Sequence, residues 1–368
     1  MSDRIVLYGA TGYTGRLVAE ALVARGERPV LAGRDEAKLR ALDADLGGGL
    51  DTARADASRP QTVRALVSAG DVLIATVGPF ARLGLPAAEA AIAAGCAYLD
   101  STGEPAFIRR VFEELGPRAE ASGAALVTAF GYDWVPGNLA GALALREAGP
   151  AAVRVDVGYF LTGDTRGFAS GGTRASSVDV ALRPSFAWRG GIRTERTGAR
   201  ARDFEVAGRR RSALSAGASE HFALPRLHPQ LREVNAYIGW FGPLTRPMVA
   251  ASAAVSALMR IPGAAAGAER LARRAARGST GGPDARVRAR SGSHVVAIAY
   301  DAAGAALAEV RLAGVNAYDF TARILAWGAA EARRRGRLEG TGALGPVEAF
   351  GLEALEAGCA EAGIARAS

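Results

Sequence analysis

Cysteine, histidine and lysine are nearly missing from this chain of 368 residues, which holds two cysteines, three histidines and, among 45 basic residues, the single lysine Lys38. Cys96 and Cys359 are too few for a disulfide framework or a thiolate metal site. His221, His228 and His294 have no ligand-like spacing, so no metal is expected. Two cysteines suit a reducing compartment, and the run from Arg4 to Tyr8 leads at once into a glycine loop, which does not read as a secretory signal. A cytoplasmic location is therefore expected. Long hydrophobic runs are missing too: the small and apolar stretch Pro247 to Met259 is too short to span a bilayer.

What is there is apolar and rich in arginine. With 49% hydrophobic and 22% charged residues, the chain has ample material for a packed core, and its length implies two lobes. A net charge of +8 raises the question of nucleic acid, whose phosphates attract clustered arginines. The 37 acidic residues are interspersed, however, and the densest basic clusters are only Arg209 to Arg211 and Arg333 to Arg335. A solvated basic face explains them, and no nucleic-acid partner is expected.

Short aliphatic runs alternate with alanine-rich helical stretches through the first half, the rhythm of a parallel sheet with crossover helices. Strands are predicted over Arg4 to Tyr8, Pro29 to Ala32, Asp71 to Thr76, Tyr98 to Asp100 and Ala125 to Ala129. Helical spacing falls over Leu17 to Ala24, Glu36 to Leu42, Gln61 to Val67, Leu85 to Ala94 and Glu104 to Ala121. The fold class is thus α/β: an N-terminal Rossmann doubly wound parallel sheet, followed by a second α+β domain with an antiparallel or mixed sheet. After a helix from Asn138 to Arg146, the second domain begins at the alternating strand Val153 to Leu161, with short strands near Phe186 to Trp188 and Asp203 to Val206. The alternating segments Ala285 to Arg290, Val295 to Tyr300 and Ala306 to Leu312 predict a closing antiparallel meander. A helix over Asp319 to Arg335 then packs back on the first domain. Pro247 to Met259, followed by Arg260 and the basic run Arg270 to Arg277, reads first as a buried helix lining a pocket or a homodimer interface, and second as a helix making peripheral membrane contact.

Between the first strand and the first helix lies Gly9-Ala10-Thr11-Gly12-Tyr13-Thr14-Gly15. Strand, glycine turn and helix in succession aim backbone N–H groups at a pyrophosphate, which approaches closely because glycine has no side chain. Three spaced glycines alone are a weak signal, but their place in the strand-turn-helix unit makes them a strong one. At the end of the second strand the chain reads Leu31-Ala32-Gly33-Arg34, with arginine where an NAD enzyme usually places a carboxylate. That favours the 2'-phosphate of NADPH, helped by Lys38. Asp35, directly after Arg34, keeps the NADH alternative open. Asp56 is grouped with Gly33, Arg34 and Lys38 as a cofactor residue.

Further segments now carry a family resemblance: Thr76-Val77-Gly78-Pro79-Phe80, Tyr98-Leu99-Asp100-Ser101-Thr102-Gly103-Glu104, Gly131-Tyr132-Asp133-Trp134-Val135-Pro136, Ser170-Gly171-Gly172-Thr173 and, loosely, Asn316 to Ala322. With the glycine loop and Ala32-Gly33-Arg34, they resemble saccharopine dehydrogenase-like oxidoreductases, particularly the branch of bacterial trans-acting enoyl reductases. The resemblance implies an NADP-binding domain over 1–137 completed by 316–368, with a substrate or dimerisation domain inserted at 138–315. It also implies that Thr76 to Phe80 and Ser101, Thr102 and Gly103 lie along the cofactor. The family often has Ser where this chain has Trp134, a bulky indole that would reshape the substrate pocket.

Hydride transfer needs a proton source for the atom that gains charge. Tyr132 and Asp133, at a strand's carboxyl end, are the first pair: the Tyr132 phenol can donate the proton and the Asp133 carboxylate can orient a hydroxyl or the carboxamide, Tyr132 alternatively being a packed aromatic and Asp133 a helix cap or backbone brace. Asp100 and Glu104 are further carboxylates nearby, Glu104 equally a first-turn helix residue. Ser170, Gly171, Gly172 and Thr173 form either a backbone cradle for a substrate anion or carbonyl, or a flexible turn. Lys38 belongs to the adenosine side, so lysine catalysis is not expected. The resemblance implies reduction of an activated C=C bond on a lipid or polyketide-type intermediate, small or carrier-bound. The alternatives are a saccharopine-type C=N reductase, with Arg166, Arg174 and Arg183 for substrate carboxylates, and a non-catalytic, lipid-associated NADP-binding protein.

Overall fold

Short strands whose residues are all buried need cover on both faces, and the first 130 residues provide it. The computed structural model describes residues 3–163, 170–173, 176, 180, 183–258, 281–336 and 338–367. In chain order, its first part runs β1 (Ile5–Tyr8), α1 (Tyr13–Ala24), β2 (Val30–Gly33), α2 (Glu36–Asp45), β3 (Thr52–Arg54), α3 (Pro60–Arg64), β4 (Val72–Ala75), α4 (Phe80–Leu83), α5 (Leu85–Ala94), β5 (Ala97–Asp100), α6 (Pro105–Arg110), α7 (Gly116–Ser122) and β6 (Ala125–Val127). Every residue of β1, β2, β4 and β6 is buried.

The second part continues with α8 (Val135–Ala148), β7 (Arg154–Gly163), β8 (Ser185–Arg189), β9 (Ile192–Glu195), β10 (Ala201–Val206), β11 (Arg209–Ala216), α9 (Glu220–Leu227), β12 (Glu233–Ile238), α10 (Thr245–Leu258), α11 (Ala285–Ala289), β13 (Ser291–Tyr300) and β14 (Ala306–Gly314). The chain then returns to the first unit through α12 (Ala317–Arg335), β15 (Gly342–Ala343), α13 (Pro346–Phe350) and α14 (Leu352–Ala362), and ends in β16 (Ile364–Arg366). Two compact units result. One comprises Met1–Gly103, Phe107–Val135 and Ala317–Gly363; the other comprises Glu104–Ala106, Pro136–Asn316 and Ile364–Ser368.

Within the first unit the strand order is β15-β6-β5-β4-β1-β2-β3, parallel throughout. The order reverses between β1 and β4, the switch point at which open α/β sheets bind ligands beyond the strands' carboxyl ends. Helix α12 packs on α1, β1, β4 and β5, and α14 packs on α12. Trp327 of α12 and Phe130 both stack against Phe350, with ring centroids 5.0 and 5.1 Å away. The second unit is built on a mixed sheet ordered β10-β11-β12-β7-β13-β14-β16, with β8 attached to β12 and β9 to β8. One apolar cluster on it joins Phe160, Phe204, Val206, Ala213, Tyr237 and Val296.

The expected α/β class with a second mixed sheet is what the molecule adopts. One local expectation is corrected. Ala285 to Arg290 is a helix, because Asp284 accepts the Val287 N–H at 2.9 Å and caps it, and no residue of α11 is buried enough to favour a strand. In α10, Arg246, Pro247, Met248, Ala250 and Ala251 are exposed within the single chain, and among the helix residues whose burial is described only Thr245 is buried. Its small side chains offer too little apolar surface to draw a second layer over it. The short strand β3, with its exposed and half-buried residues, lacked any apolar signal in the sequence. Met259, Arg260 and Arg270 to Arg277 lie outside the described residues. No described helix is long and apolar enough to cross a membrane.

Helix α8 approaches the second sheet through glycine. The Tyr159 hydroxyl donates to Glu220 Oε1 at 2.5 Å with both residues fully buried, and a Cβ on Gly137 would fall 1.9 Å from that hydroxyl. Gly137→Ala should therefore overpack this contact and cost about 1–3 kcal/mol. Urea unfolding would register it as a lower midpoint at unchanged slope.

Candidate cofactor and catalytic site

The turn after β1 is shaped by contacts that exclude side chains. Gly9 sits at φ +94, where an added Cβ would lie 2.7 Å from Thr76 Oγ1. A Cβ on Gly15 would lie 2.1 Å from the Gly9 carbonyl oxygen, so α1 starts as near the loop as backbone permits. Gly12 differs: its Cβ would meet only the Gly9 oxygen, at 3.3 Å, with open space otherwise. Gly12 is also the N-cap of α1, and no side chain caps the helix. No N-cap side chain competes at the first turn, and Gly12 leaves an anion's approach to it clear. The loop is pinned by Gly9 and Ala10 N–H donating to Ala32 O, at 2.9 and 3.2 Å, and by the Thr76 hydroxyl donating toward Tyr8 O and Gly9 O.

Beside it, the carboxylate that left the cofactor's identity open has another task. Asp35 is the N-cap of α2, its Oδ1 accepting the Lys38 N–H at 3.1 Å, and Lys38 Nζ lies 3.8 Å from its Oδ2. Arg34 is exposed at the end of β2. Asp56 follows β3, where the Ser58 N–H donates to its Oδ1 at 2.9 Å. Its carboxyl is held below the usual range, first by the Ser58 N–H and hydroxyl, with Arg34 and Arg59 adding positive potential.

Beyond β4, β5 and β6 the remaining first-unit segments gather. Thr76 reaches the glycine loop directly, Gly78–Pro79 is a cis peptide, and Phe80 opens α4 with its ring 5.6 Å from that of Phe107. Asp100, fully buried, accepts the N–H groups of Thr102 (2.8 Å) and Ala129 (2.9 Å) at Oδ1 and the Thr128 hydroxyl (2.7 Å) at Oδ2. Burial pushes its pKa up to about 6 against those bonds. This carboxylate braces two strand ends. Asp133 contrasts with it: Oδ1 is shut off from solvent with no hydrogen-bond partner, and burial pushes its pKa up to about 7. Its Oδ2 faces Gly103, where an added Cβ would lie 2.8 Å away. Tyr132 is buried edge-on to Phe320, centroids 6.5 Å apart, and Trp134 is almost fully enclosed.

Known proteins resemble part of this chain. Residues 5–127 match the family model of the saccharopine dehydrogenase NADP binding domain. Over this stretch, about a third of its length, the chain is similar to that domain family. A trans-acting enoyl reductase from Mycobacterium leprae is 42% identical over 140 residues, 37% of this chain and 34% of that protein. One from Mycobacterium bovis is 41% identical with the same coverage. A Mycobacterium tuberculosis protein named in the same group is 42% identical over 184 residues, 48% of this chain and 43% of its own. The chain thus spans less than half the length of the curated relatives it matches. In fold, the apo saccharopine dehydrogenase (L-Glu forming) from Saccharomyces cerevisiae superposes with a TM-score of 0.60 over 97% of this chain and 96% of that one, at 12% identity. The resemblance carried by the motifs is therefore met by family, relatives and fold alike.

The residues outside the NADP-binding domain are placed differently. In the second unit, Glu104 is buried and accepts the Ser176 hydroxyl at 2.6 Å. Ser170 to Thr173 make a short helical turn in which the Thr173 N–H donates to Ser170 Oγ (3.1 Å) and the Gly171 N–H to Gly281 O (2.9 Å). Two of the N–H groups expected to form a cradle are thereby engaged. Arg183 is exposed, and Arg166 and Arg174 lie outside the described residues. Sequence reasoning missed Thr321, whose hydroxyl accepts the Tyr132 N–H at 2.9 Å. The loosely matching segment Asn316 to Ala322 was its only signal.

Arg34→Ala should weaken NADPH binding about tenfold or more, the loss of a charge-assisted contact, while leaving NADH binding nearly unchanged. Asp35→Ala should lose its cap, about 1 kcal/mol, and leave the NADPH-to-NADH ratio as it was. Calorimetric titration with both cofactors, beside a melting curve, checks the pair.

Proposed function

We propose that the chain is an NADPH-dependent reductase acting on an activated C=C bond of an acyl intermediate, with Asp133 as the proton donor. The observation that carries this is the state of Asp133: a carboxyl with a secluded, unbonded oxygen and a proton affinity raised into the neutral range. It lies in the same unit as a glycine loop suited to a dinucleotide. The relatives' names support the C=C substrate, and "trans-acting" in those names fits an acyl chain presented on a separate carrier.

The glycine loop fits the cofactor on its own evidence, through the uncapped α1 and the clear approach over Gly12. Gly9 to Gly15 would hold the pyrophosphate, Arg34 the 2'-phosphate with Gly33, Lys38 and Asp56 around the ribose, and Thr76 to Phe80 with Ser101 to Gly103 the nicotinamide end. The bound cofactor supplies a hydride. Reduction of an enoyl group puts that hydride on the β-carbon and charge on the α-carbon and carbonyl oxygen, and a proton must reach the α-carbon. Asp133 has the affinity to be protonated at neutral pH and to give the proton up there. Tyr132, packed against Phe320, shapes the wall, and Trp134 limits the space behind it. The exposed face of α10 is where a second copy or a lipid surface would dock.

If Asp133 is the acid, kcat should fall as pH rises through about 7, because the ionised form cannot donate. Asp133→Asn should lower kcat about a hundred- to ten-thousand-fold. The same substitution should stabilise the fold. With a folded-state pKa near 7 against an ordinary 3.8, the folded protein holds this proton more tightly, so stability falls as pH rises from 3.8 through 7. Melting temperatures of the two proteins should coincide below pH 4 and separate above pH 7, Asn being higher. Turnover of a crotonyl thioester, followed by NADPH absorbance, gives the kinetic half; an Asp133→Asn protein with normal turnover would refute the assignment.

A further inference from the structure

Whether Asp133 can act as an acid depends on the segment that carries it, and that segment is held by groups outside itself. On one side stands Asp100: its carboxylate accepts the Ala129 N–H and the Thr128 hydroxyl, and its backbone carbonyl accepts the Phe130 N–H at 2.7 Å. Between these bonds Ala129 is kept at φ +59, a left-handed conformation unfavourable for alanine. On the other side stands Thr321, one turn into α12. Its Oγ1 accepts the Tyr132 N–H, and a Cβ on Gly131 would fall 2.9 Å from its methyl carbon. Gly131 and Tyr132 are thus drawn onto Thr321 by one hydrogen bond and one contact without slack. The segment then closes on itself, Trp134 N–H donating to Ala129 O and Val135 N–H to Gly131 O, both at 2.9 Å. Asp133 is suspended between these fixed points, with no side-chain bond at Oδ1 to orient it. The residue as a whole is half-buried, and Oδ1 is the atom shut off from solvent.

We infer that Thr321 is a positioning residue, acting with Asp100 as a two-sided clamp that holds the Asp133 carboxyl in its secluded place. This rests on the reading of Asp133 as the proton donor. Thr321→Val keeps the shape and removes the acceptor, so the Tyr132 N–H loses its partner and the segment gains freedom toward solvent. Displacing a reacting group in this way lowers rate far more than binding. Thr321→Ser keeps the acceptor and should behave as the parent does.

The test combines three readouts on the full chain. Hydrogen exchange at the Tyr132 amide should accelerate in Thr321→Val and not in Thr321→Ser. The Asp133 carboxyl, followed by carbon NMR, should titrate closer to its ordinary 3.8 in the valine protein and stay near 7 in the serine protein. With crotonyl thioester and NADPH, kcat should drop about ten- to a hundred-fold in the valine protein with little change in NADPH affinity, and recover with serine. Should the valine protein fail to fold, Thr321→Ala gives the same comparison with less crowding at Gly131. An unchanged Asp133 titration and unchanged kcat in the valine or alanine protein, while Asp133→Asn is inactive, overturns the role of Thr321 alone. Normal turnover by Asp133→Asn overturns the acid reading, and the catalytic purpose of the clamp with it.

Discussion

Helix α1 begins so close to the glycine turn that a methyl on Gly15 would lie 2.1 Å from the Gly9 carbonyl oxygen, and much of the first unit follows from that approach. Because helix and loop touch through backbone, the loop can turn back over β1 and take bonds from Ala32 and Thr76 on its two neighbouring strands. Those strands diverge from β1 at the switch point, so the same contact that closes the turn fixes where a ligand enters. A side chain at Gly9 or Gly15 would separate α1 from the sheet. At Gly12 a side chain would meet only the Gly9 oxygen, at 3.3 Å, so packing alone does not demand glycine there.

Two aspartates next to the same strand ends show how neighbours decide what a carboxyl does. Asp100 is completely buried but accepts three hydrogen bonds, which stabilise its charged form and limit the effect of burial. Asp133 has burial alone, and its proton affinity rises further. Reading the residue types could not separate them: both sit near motif segments, and both were candidates for chemistry. The separation arises from tertiary bonding, in which Asp100 spends its acceptors joining β5 to the turn after β6 and Asp133 keeps its own unspent.

The sequence was most legible where local pattern and tertiary role coincide. Apolar runs bounded by glycine marked β1, β2, β4 and β6 to within a residue or two, and the turn after β1 declared itself through strand, glycines and helix in succession. Legibility failed where pattern and environment part. Ala285 to Arg290 alternates like a strand, yet Asp284 caps it into a helix on a surface where alternation has no buried face to serve. Pro247 to Met259 reads as a helix buried in a pocket or a homodimer interface, and its alanines and serines bury little area, so most of the described α10 residues are exposed within the single chain. Thr321 lies 189 residues from the amide it holds, so no local window contains the pair.

A carboxyl whose proton affinity burial raises toward 7 costs the folded state stability as it ionises. Such a group persists only if the surrounding structure over-determines its position. Here that surplus comes from the clamp. Asp100 gives three bonds to the segment or its neighbour, α12 gives a fourth through Thr321, and the unfavourable φ of Ala129 shows the bonds prevailing over local preference. Helix α12 follows the inserted unit and was recognisable beforehand only as a helix that packs on the first domain. Its return places Phe320 against Tyr132 and Thr321 against the segment that carries Asp133. The last part of the first unit to be made is thus the part that completes its support, which ties any acid function of Asp133 to the closing of the whole domain.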